Sequence, residues 1–404
     1  MEMTNSSAFV IRTLAGKSEE NFGRIPLGDF FTPEYYALEK ERIFKKCWLP
    51  AGSEKQIPNV GDYFVKELEV CDTSLVIVRG RDQRVRAFHN ACTHRLNRIA
   101  YAPAGNATNF KCRFHSWSFG LDGKLLAVLE ENRFPGLVKS ENNLTEVACE
   151  IWEGFIYINV DPKPAQTLRE YLGDDFCAGY KGLYRHYEVV GKFVVEMKAN
   201  WKVSMDAFTE AYHFTTVHAP LAADVLSSRE NPNGCIDAVR LQPHYHAMAI
   251  GANLDHEPTF CEALVRKYGA ATLAANAAFN EDNPPQVNEL KLTEWLADMM
   301  VVFPMSFIQQ LNGYGTVIDF WPLSHDRTRF ELTLYLRPIK NAANEVMVEY
   351  SRSLLRDVVR EDLNNLAWIQ GNLNSGARQY QNIGDMEVLI GHSYRRVADY
   401  IGHG

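Results

Sequence analysis

No run in this sequence is apolar for long enough to cross a membrane as a helix, which takes roughly 20 consecutive residues. Positive charge is not in excess either. The chain carries 42 Lys and Arg against 50 Asp and Glu, a formal net charge of −8. A nucleic-acid or anionic-membrane binder needs clustered Lys and Arg, so neither partner is expected. A Gly-rich phosphate cradle is missing as well. The nearest string, Gly313-Tyr314-Gly315, continues without the third glycine of G-x-G-x-x-G, so the chain itself is not expected to bind NAD(P)H or flavin. Met1 to Gly23 is polar, with nothing like a signal-peptide core, and this leads us to expect a soluble cytoplasmic protein. There is no internal repeat and no low-complexity tract. Cysteine is sparse: eight residues are scattered over the chain. In a reducing compartment they should form no disulfide framework, and most read as small buried hydrophobes. Only Cys92 and Cys112 fall in a constellation.

What is present is ordinary globular material, 46% apolar and 23% charged over 404 residues. That length exceeds what one core usually organises, so two domains are expected. Thr32-Pro33-Glu34 opens a short helix to about Phe44, with Thr32 as N-cap and Pro33 in the first turn. From about Asp62 to Asp161 short strand-like runs follow one another: Tyr63–Val70, Leu75–Arg79, Val85–His89 and Phe155–Val160. Asp161-Pro162-Lys163-Pro164 reads as a linker. Beyond it, Glu188–Glu196, Ala238–Ile250, Phe307–Trp321 and Arg329–Leu336 read as long strands, and Ala263–Phe279 and Glu345–Leu366 as helices. Gly251 to Val301 breaks the strand pattern and reads as an insertion that covers a pocket. The expected organisation is an arm over 1–39, an all-β domain over 40–164, and an α+β domain with an antiparallel sheet over 165–404.

Two groups of residues carry metal chemistry. Cys92-Thr93-His94 and Cys112-Arg113-Phe114-His115 form C-x-H…C-x2-H inside the β-rich domain. Two thiolates and two imidazoles can hold a tetrahedral Zn(II) or a Rieske [2Fe–2S] centre. Each half pairs one Cys with one His, whereas zinc fingers group C-x2-C with H-x3-H. No helical pattern lies between the halves, and Trp117-Ser118-Phe119-Gly120-Leu121-Asp122-Gly123 supplies aromatics and a tight turn that could shield a cluster. These features favour the cluster over zinc.

The second group is Asp206, Glu210 and His213, which share one face of a helix, with His218 five residues further on. For both imidazoles to reach one ion, the helix must distort or end between them. Two His and a carboxylate make the facial triad of non-haem Fe(II) oxygenases. Asp362 lies in the apolar stripe of Leu355, Val358, Val359 and Leu366, while Asp357, Arg360 and Glu361 point elsewhere. A buried carboxylate needs a partner. From spacing, Asp362 is a metal ligand, the partner of an Arg, or helix-end decoration. Other histidines have no trusted ligand spacing, though His244 and His246 could face one pocket. Tyr212 and Trp201 read as core packing.

The chain resembles the catalytic alpha subunit of Rieske-type aromatic-ring-hydroxylating oxygenases. That family's C-x-H-R-G and C-x2-H-G-W appear as Cys92-Thr93-His94-Arg95-Leu96 and Cys112-Arg113-Phe114-His115-Ser116-Trp117, with both glycines replaced and all four ligands kept. The family's mononuclear-iron pattern, E/D-x-x-H-x4-H and a distant E-D pair, is matched by Glu210, His213, His218 and Glu361-Asp362. The resemblance implies a helix-grip catalytic domain. It also implies a cluster on Cys92, His94, Cys112 and His115, and Fe(II) on His213, His218 and Asp362. Glu210 matches a carboxylate, usually Asp, that bridges to the cluster of a neighbouring subunit. Asp206 matches a position that is often Asn near the iron, in a catalytic or a supporting part. The resemblance further implies O2 and a small organic substrate, which is cis-dihydroxylated, monohydroxylated or dealkylated. Electrons would come from NAD(P)H only indirectly, through a separate reductase with or without a ferredoxin. The expected assembly is a homotrimer, with or without a beta subunit. The alternatives are a Rieske electron carrier without oxygenase activity, which would need neither the second domain nor its triad, and a zinc-stabilised binding module.

Overall fold

The computed structural model describes residues 12–15 and 23–402, except 220, 222, 228–233, 235, 269–282, 294, 312–313, 337 and 339–340. The chain forms two compact units. One is Lys40–Tyr171; the other joins Met1–Glu39 to Leu172–Gly404.

The smaller unit is built on a seven-stranded sheet in the order Leu49–Ser53, Phe155–Asn159, Glu146–Trp152, Val85–His89, Thr73–Arg79, Asp62–Leu68 and Ala104–Asn106. The interior strand Thr73–Arg79 is Val- and Ile-rich and buried on both faces over Leu75–Val78, as a strand covered on both sides must be. Beside it, a small sheet of Phe110–Lys111, Ser118–Phe119 and Leu125–Ala127 closes over a core of Val76, Val78, Phe88, Phe119 and Leu121. Cys92, Cys112 and Trp117 belong to that core, so the candidate ligands stand on packed side chains and not on a free loop.

The larger unit carries an eight-stranded sheet in the order Arg12–Ala15, Ile236–Leu241, Tyr245–Gly251, Trp295–Val302, Ser306–Leu311, Tyr314–Ser324, Arg327–Leu336 and Glu188–Met197. Every neighbouring pair is antiparallel except the first. The long strand expected over Ala238–Ile250 is instead a hairpin that turns at Gln242–His244, where Pro243 cannot donate to a ladder. The run Phe307–Trp321 likewise belongs to two strands. Trp295–Val302 lies inside the stretch read as an insertion. All eight of its residues are buried, so there is no polar alternation to betray a strand. The expected helix over Ala263–Phe279 appears as Phe260–Tyr268; the rest falls outside the described residues.

The sheet grips a helix of 33 residues, Ala342–Asn374, whose N-cap Asn341 accepts a hydrogen bond from Asn344 N. This helix packs on Glu188–Met197 and on the short helix Trp201–Asp206. A C-terminal helix, Val388–Ile401, covers Tyr245–Gly251. His244 and His246 face it, toward Tyr400 and Ser393 respectively, and neither lines the two spaces that meet the metal triad. Where Trp201–Asp206 begins, Asn200 caps it and is held by Gln370 of the long helix at 2.7 Å. Glu39 forms a fully buried ion pair with Lys202 and accepts from Trp201 Nε1 at 2.9 Å. Removing one partner of such a pair leaves an uncompensated charge and typically costs about 3–5 kcal/mol. The base of the segment that leads to the second metal group is therefore fixed from three sides.

Candidate metal centres

In the smaller unit, two loops of the same geometry face each other. Cys92 N donates to Asn97 O and Leu96 N to Cys92 O; Cys112 N donates to Trp117 O and Ser116 N to Cys112 O, all at 2.7–3.0 Å. Each loop turns on its fourth residue after the cysteine, and there the backbone is left-handed: φ is +60° at Leu96 and +61° at Ser116. These are the positions where the resembling family carries glycine. A left-handed residue other than glycine costs roughly 1–2 kcal/mol, and Leu96 recovers little by packing because it is 78% exposed. Leu96→Gly and Ser116→Gly should each stabilise this unit by about 1 kcal/mol or less, since glycine's unfolded-state entropy offsets part of the relief. Urea unfolding followed at the cluster's visible absorbance measures it; a loss of stability would show that the side chains contribute more than the backbone strain removes.

The donors of these loops suit a two-iron cluster. Cys92 and Cys112 are buried. Burial raises the Cys92 thiol; it also works against ionising Cys112, but there the backbone N–H groups of Phe114 and His115, with Cys92 and Asn97, outweigh it and the thiol is lowered. His94 and His115 meet at 4.7 Å between ring centroids, with Trp117 stacked on His94 at 4.8 Å. His115 Nδ1 is buried without a hydrogen-bond partner, which a ligating nitrogen would be. Among the described residues, only His213, His218 and Asp362 bring three such donors within 4.8 Å of one another.

In the larger unit the helix that starts at Trp201 ends at Asp206. A separate single turn, Phe214–Val217, follows, with His213 at its N-cap and His218 at its C-cap. The break satisfies the requirement set by the five-residue spacing: both rings turn to the same side. His213 Nε2 lies 3.2 Å from His218 Nε2, and Asp362 Oδ1 lies 3.3 Å from each. Metal–donor bonds of about 2.1 Å at right angles place neighbouring donors about 3 Å apart. Asp362 Oδ1 is buried and has no hydrogen bond. The triangle therefore fits a facial triad around one ion, and Asp362 has no Arg partner among the described residues.

Each imidazole is held from behind by a carboxylate. Glu210 Oε1 bonds His213 Nδ1, and its Oε2 accepts the backbone N–H groups of Tyr212 and His213. Glu361 Oε2 lies 2.9 Å from His218 Nδ1. The sequence had Glu361 pointing away from the stripe of Asp362. One step along a helix turns a side chain by about 100°, yet adjacent residues still reach one site when it lies over the helix, Asp362 in front and Glu361 behind the ring. Burial disfavours a charged His213, but the carboxylates of Asp362 and Glu210 outweigh it and lift the ring to about 9. Asp206 is not in the triangle. Burial pushes it up to about 8, against the stabilising hydroxyl of Tyr394 at 2.9 Å and the Lys202 ammonium, so it is mostly a neutral acid at neutral pH. Trp201 is fully buried, whereas Tyr212 is 67% exposed and is no core residue.

Two spaces meet the triad. One is a cavity of ≈ 120 Å³ lined by His213, His218 and Asp362 and otherwise chiefly by apolar side chains, among them Phe208, Phe214 and Phe307. The other is a wider cleft of ≈ 880 Å³ lined by Asp206, Glu210, His213 and Asp362, with Trp368 and Ile369 at its rim.

Two family models match the chain: the ring hydroxylating alpha subunit (catalytic domain) over residues 184–403 and the Rieske [2Fe-2S] domain over residues 47–139. The carnitine monooxygenase oxygenase subunit of Escherichia coli (strain K12) is 28% identical over 87% of this chain and 84% of its own. The large oxygenase component of the naphthalene 1,2-dioxygenase system of Pseudomonas aeruginosa is 37% identical over 46% of this chain and 42% of its own. A solved quaternary ammonium Rieske monooxygenase, described as giving insight into carnitine oxidation and inter-subunit electron transfer, superposes with a TM-score of 0.74 at 21% identity, over 97% of this chain and 100% of that one.

Proposed function

The chain belongs to the family of ring-hydroxylating oxygenase alpha subunits, and from that premise we propose that it oxygenates a neutral, largely apolar substrate about the size of one ring. It is the terminal component of a Rieske non-haem iron oxygenase, with a [2Fe–2S] cluster and a mononuclear iron. In our reading Cys92, His94, Cys112 and His115 hold the cluster, and His213, His218 and Asp362 hold the iron. When bound, these groups supply one-electron transfer and O2 activation. The protein's own part is to orient them and to exclude water. Glu210 and Glu361 fix the two imidazole tautomers by accepting Nδ1–H, which leaves both Nε2 lone pairs free for the ion. The apolar cavity keeps a substrate dry beside the triad.

The observation that carries the substrate class is the wall of that cavity. No Lys or Arg is among its described lining residues. A carboxylate-bearing zwitterion such as carnitine would bury its anion there unpaired, at a cost of several kcal/mol. A dry cavity of about 150 Å³ accepts benzene, so ≈ 120 Å³ suits a single ring with little besides. Electrons would come from a separate reductase. The cleft beside Glu210 offers a route for a neighbouring subunit's cluster in a trimer, a second part of the proposal.

The experiment is anaerobic purification followed by turnover with a surrogate reductase and O2. About three irons and two acid-labile sulfides per chain are expected, with hydroxylated product from neutral monocyclic compounds and none from carnitine. Zinc without sulfide, or carnitine as the preferred substrate, would sink the proposal.

A further inference from the structure

Among the described residues that line the cavity beside the triad, one carries a side-chain amide. On the strand Ser306–Leu311, Phe307, Gln309 and Leu311 line the cavity while Ile308 and Gln310 do not, the alternation a strand imposes. The two neighbouring glutamines are used differently. Gln310 points away and spends its amide on Leu311 O and Tyr187. Gln309 pairs across the sheet with Thr316, whose hydroxyl donates to Gln309 Oε1 at 3.3 Å. That contact leaves Gln309 Nε2 with no acceptor among the described residues.

The backbone under this pair is fastened. The Tyr184 hydroxyl donates to Gln309 O, and it also lies 3.3 Å from Thr316 O. Tyr184 itself sits at a left-handed φ of +54°. Its ring occupies the side of the sheet away from the cavity, over Gly315, where a Cβ would stand 2.2 Å from it. Gly315 is therefore required for Tyr184 to hook the two strands together. A side-chain amide held by its oxygen, on a backbone pinned from behind, is a preorganised donor in a mostly apolar wall. Gln309 is the one half-buried residue of its strand and its amide opens on the cavity, so a ligand that enters and supplies an acceptor gains a hydrogen bond there that an apolar ligand would leave unmade.

We propose that Gln309 is a specificity-determining residue that donates from Nε2 to an acceptor oxygen on a ring-sized substrate, so that the preferred compounds are neutral rings carrying a carbonyl or ether oxygen. This rests on the cavity being the substrate site. Cyclopentanone and methylenecyclopentane serve as probes, because they are single small rings that differ only in C=O against C=CH2. Their binding to the metal-loaded, reduced protein is measured anaerobically by calorimetry, with no turnover involved. Gln309→Met keeps the length of the side chain and removes the donor. It should weaken cyclopentanone about tenfold, the worth of one hydrogen bond of about 1.4 kcal/mol, and leave methylenecyclopentane within about twofold. Unchanged binding of methylenecyclopentane also shows that the variant is folded. Equal weakening of both probes, or of neither, would overturn the role of Gln309 while leaving the cavity as the substrate site. Failure of both probes to bind the unaltered protein would overturn the cavity assignment and this proposal with it.

Discussion

Asp362→Ala should reduce product formation below about 1% of the unaltered enzyme and remove the mononuclear iron, while the visible spectrum of the cluster stays. Asp362 is the only anionic donor in the triangle; His213 and His218 alone offer two neutral nitrogens 3.2 Å apart. Loss of a supporting residue around a metal ligand costs about 10–100-fold in affinity or activity, and loss of the ligand itself must exceed that. The metal-free variant carries an independent sign. Asp362 is 6% exposed within an apolar stripe, and a carboxylate there is expensive without a cation. In the metal-free protein that cation is the His213 ring, lifted to about 9 in part by Asp362, so Asp362→Ala should melt lower than the metal-free unaltered protein at neutral pH, with the difference shrinking as the pH rises past about 9. Full iron and full rate in Asp362→Ala would remove it from the triad and make Glu361 or Glu210 the next candidate.

Glu210→Ala should leave both metals in place and lower product formation by about a hundredfold, and added Fe(II) should not restore it. Glu361→Ala is the matched control. Each carboxylate backs one imidazole, Glu210 behind His213 and Glu361 behind His218, so a purely positioning role predicts the same loss for both and the same rescue by excess iron. Only Glu210 of the two lines the open cleft. If it also links His213 to a cluster histidine of a neighbouring subunit, cluster reduction by dithionite stays normal in Glu210→Ala. Reoxidation of the cluster on mixing with substrate and O2 then slows. Rescue of Glu210→Ala by iron would reduce Glu210 to a holder of His213. Glu210→Asp should retain partial activity, because the shorter carboxylate keeps the charge but loses reach toward Nδ1.

The two metal groups differ in how far they were legible. Cys92, His94, Cys112 and His115 lie within 24 positions and follow fixed local spacings, because each pair is carried on one tight loop closed by its own backbone hydrogen bonds. Asp362 stands 144 residues after His218. Spacing could mark it only as a carboxylate in an apolar stripe, and the 3.3 Å approach to both rings is made by the long helix lying across the sheet. Glu361 was missed because helical periodicity sorts residues by face and cannot say that a ring from another element will reach round to the next one. Gln309 carried no signal: two adjacent glutamines in a strand look alike until the sheet decides which faces the cavity. Trp295–Val302 was hidden for the opposite reason, since burial on both faces erases the alternation that marks a strand.

By itself, the sequence determined the chemistry: which residue types can bind metals, that there are two groups of them, and that one sits in β-rich loops. These follow from residue type and short-range spacing, which the covalent chain sets directly. Only the tertiary structure decided which carboxylate faces the ion, which ones hold the imidazoles from behind, and that Gln309 and not Gln310 looks into the cavity. Those outcomes depend on register and helix placement, where a shift of one residue turns a side chain by about 100° on a helix or to the opposite face of a sheet. That register is set by contacts far apart in the chain, such as Asn200 on Gln370 and Tyr184 beneath Gln309.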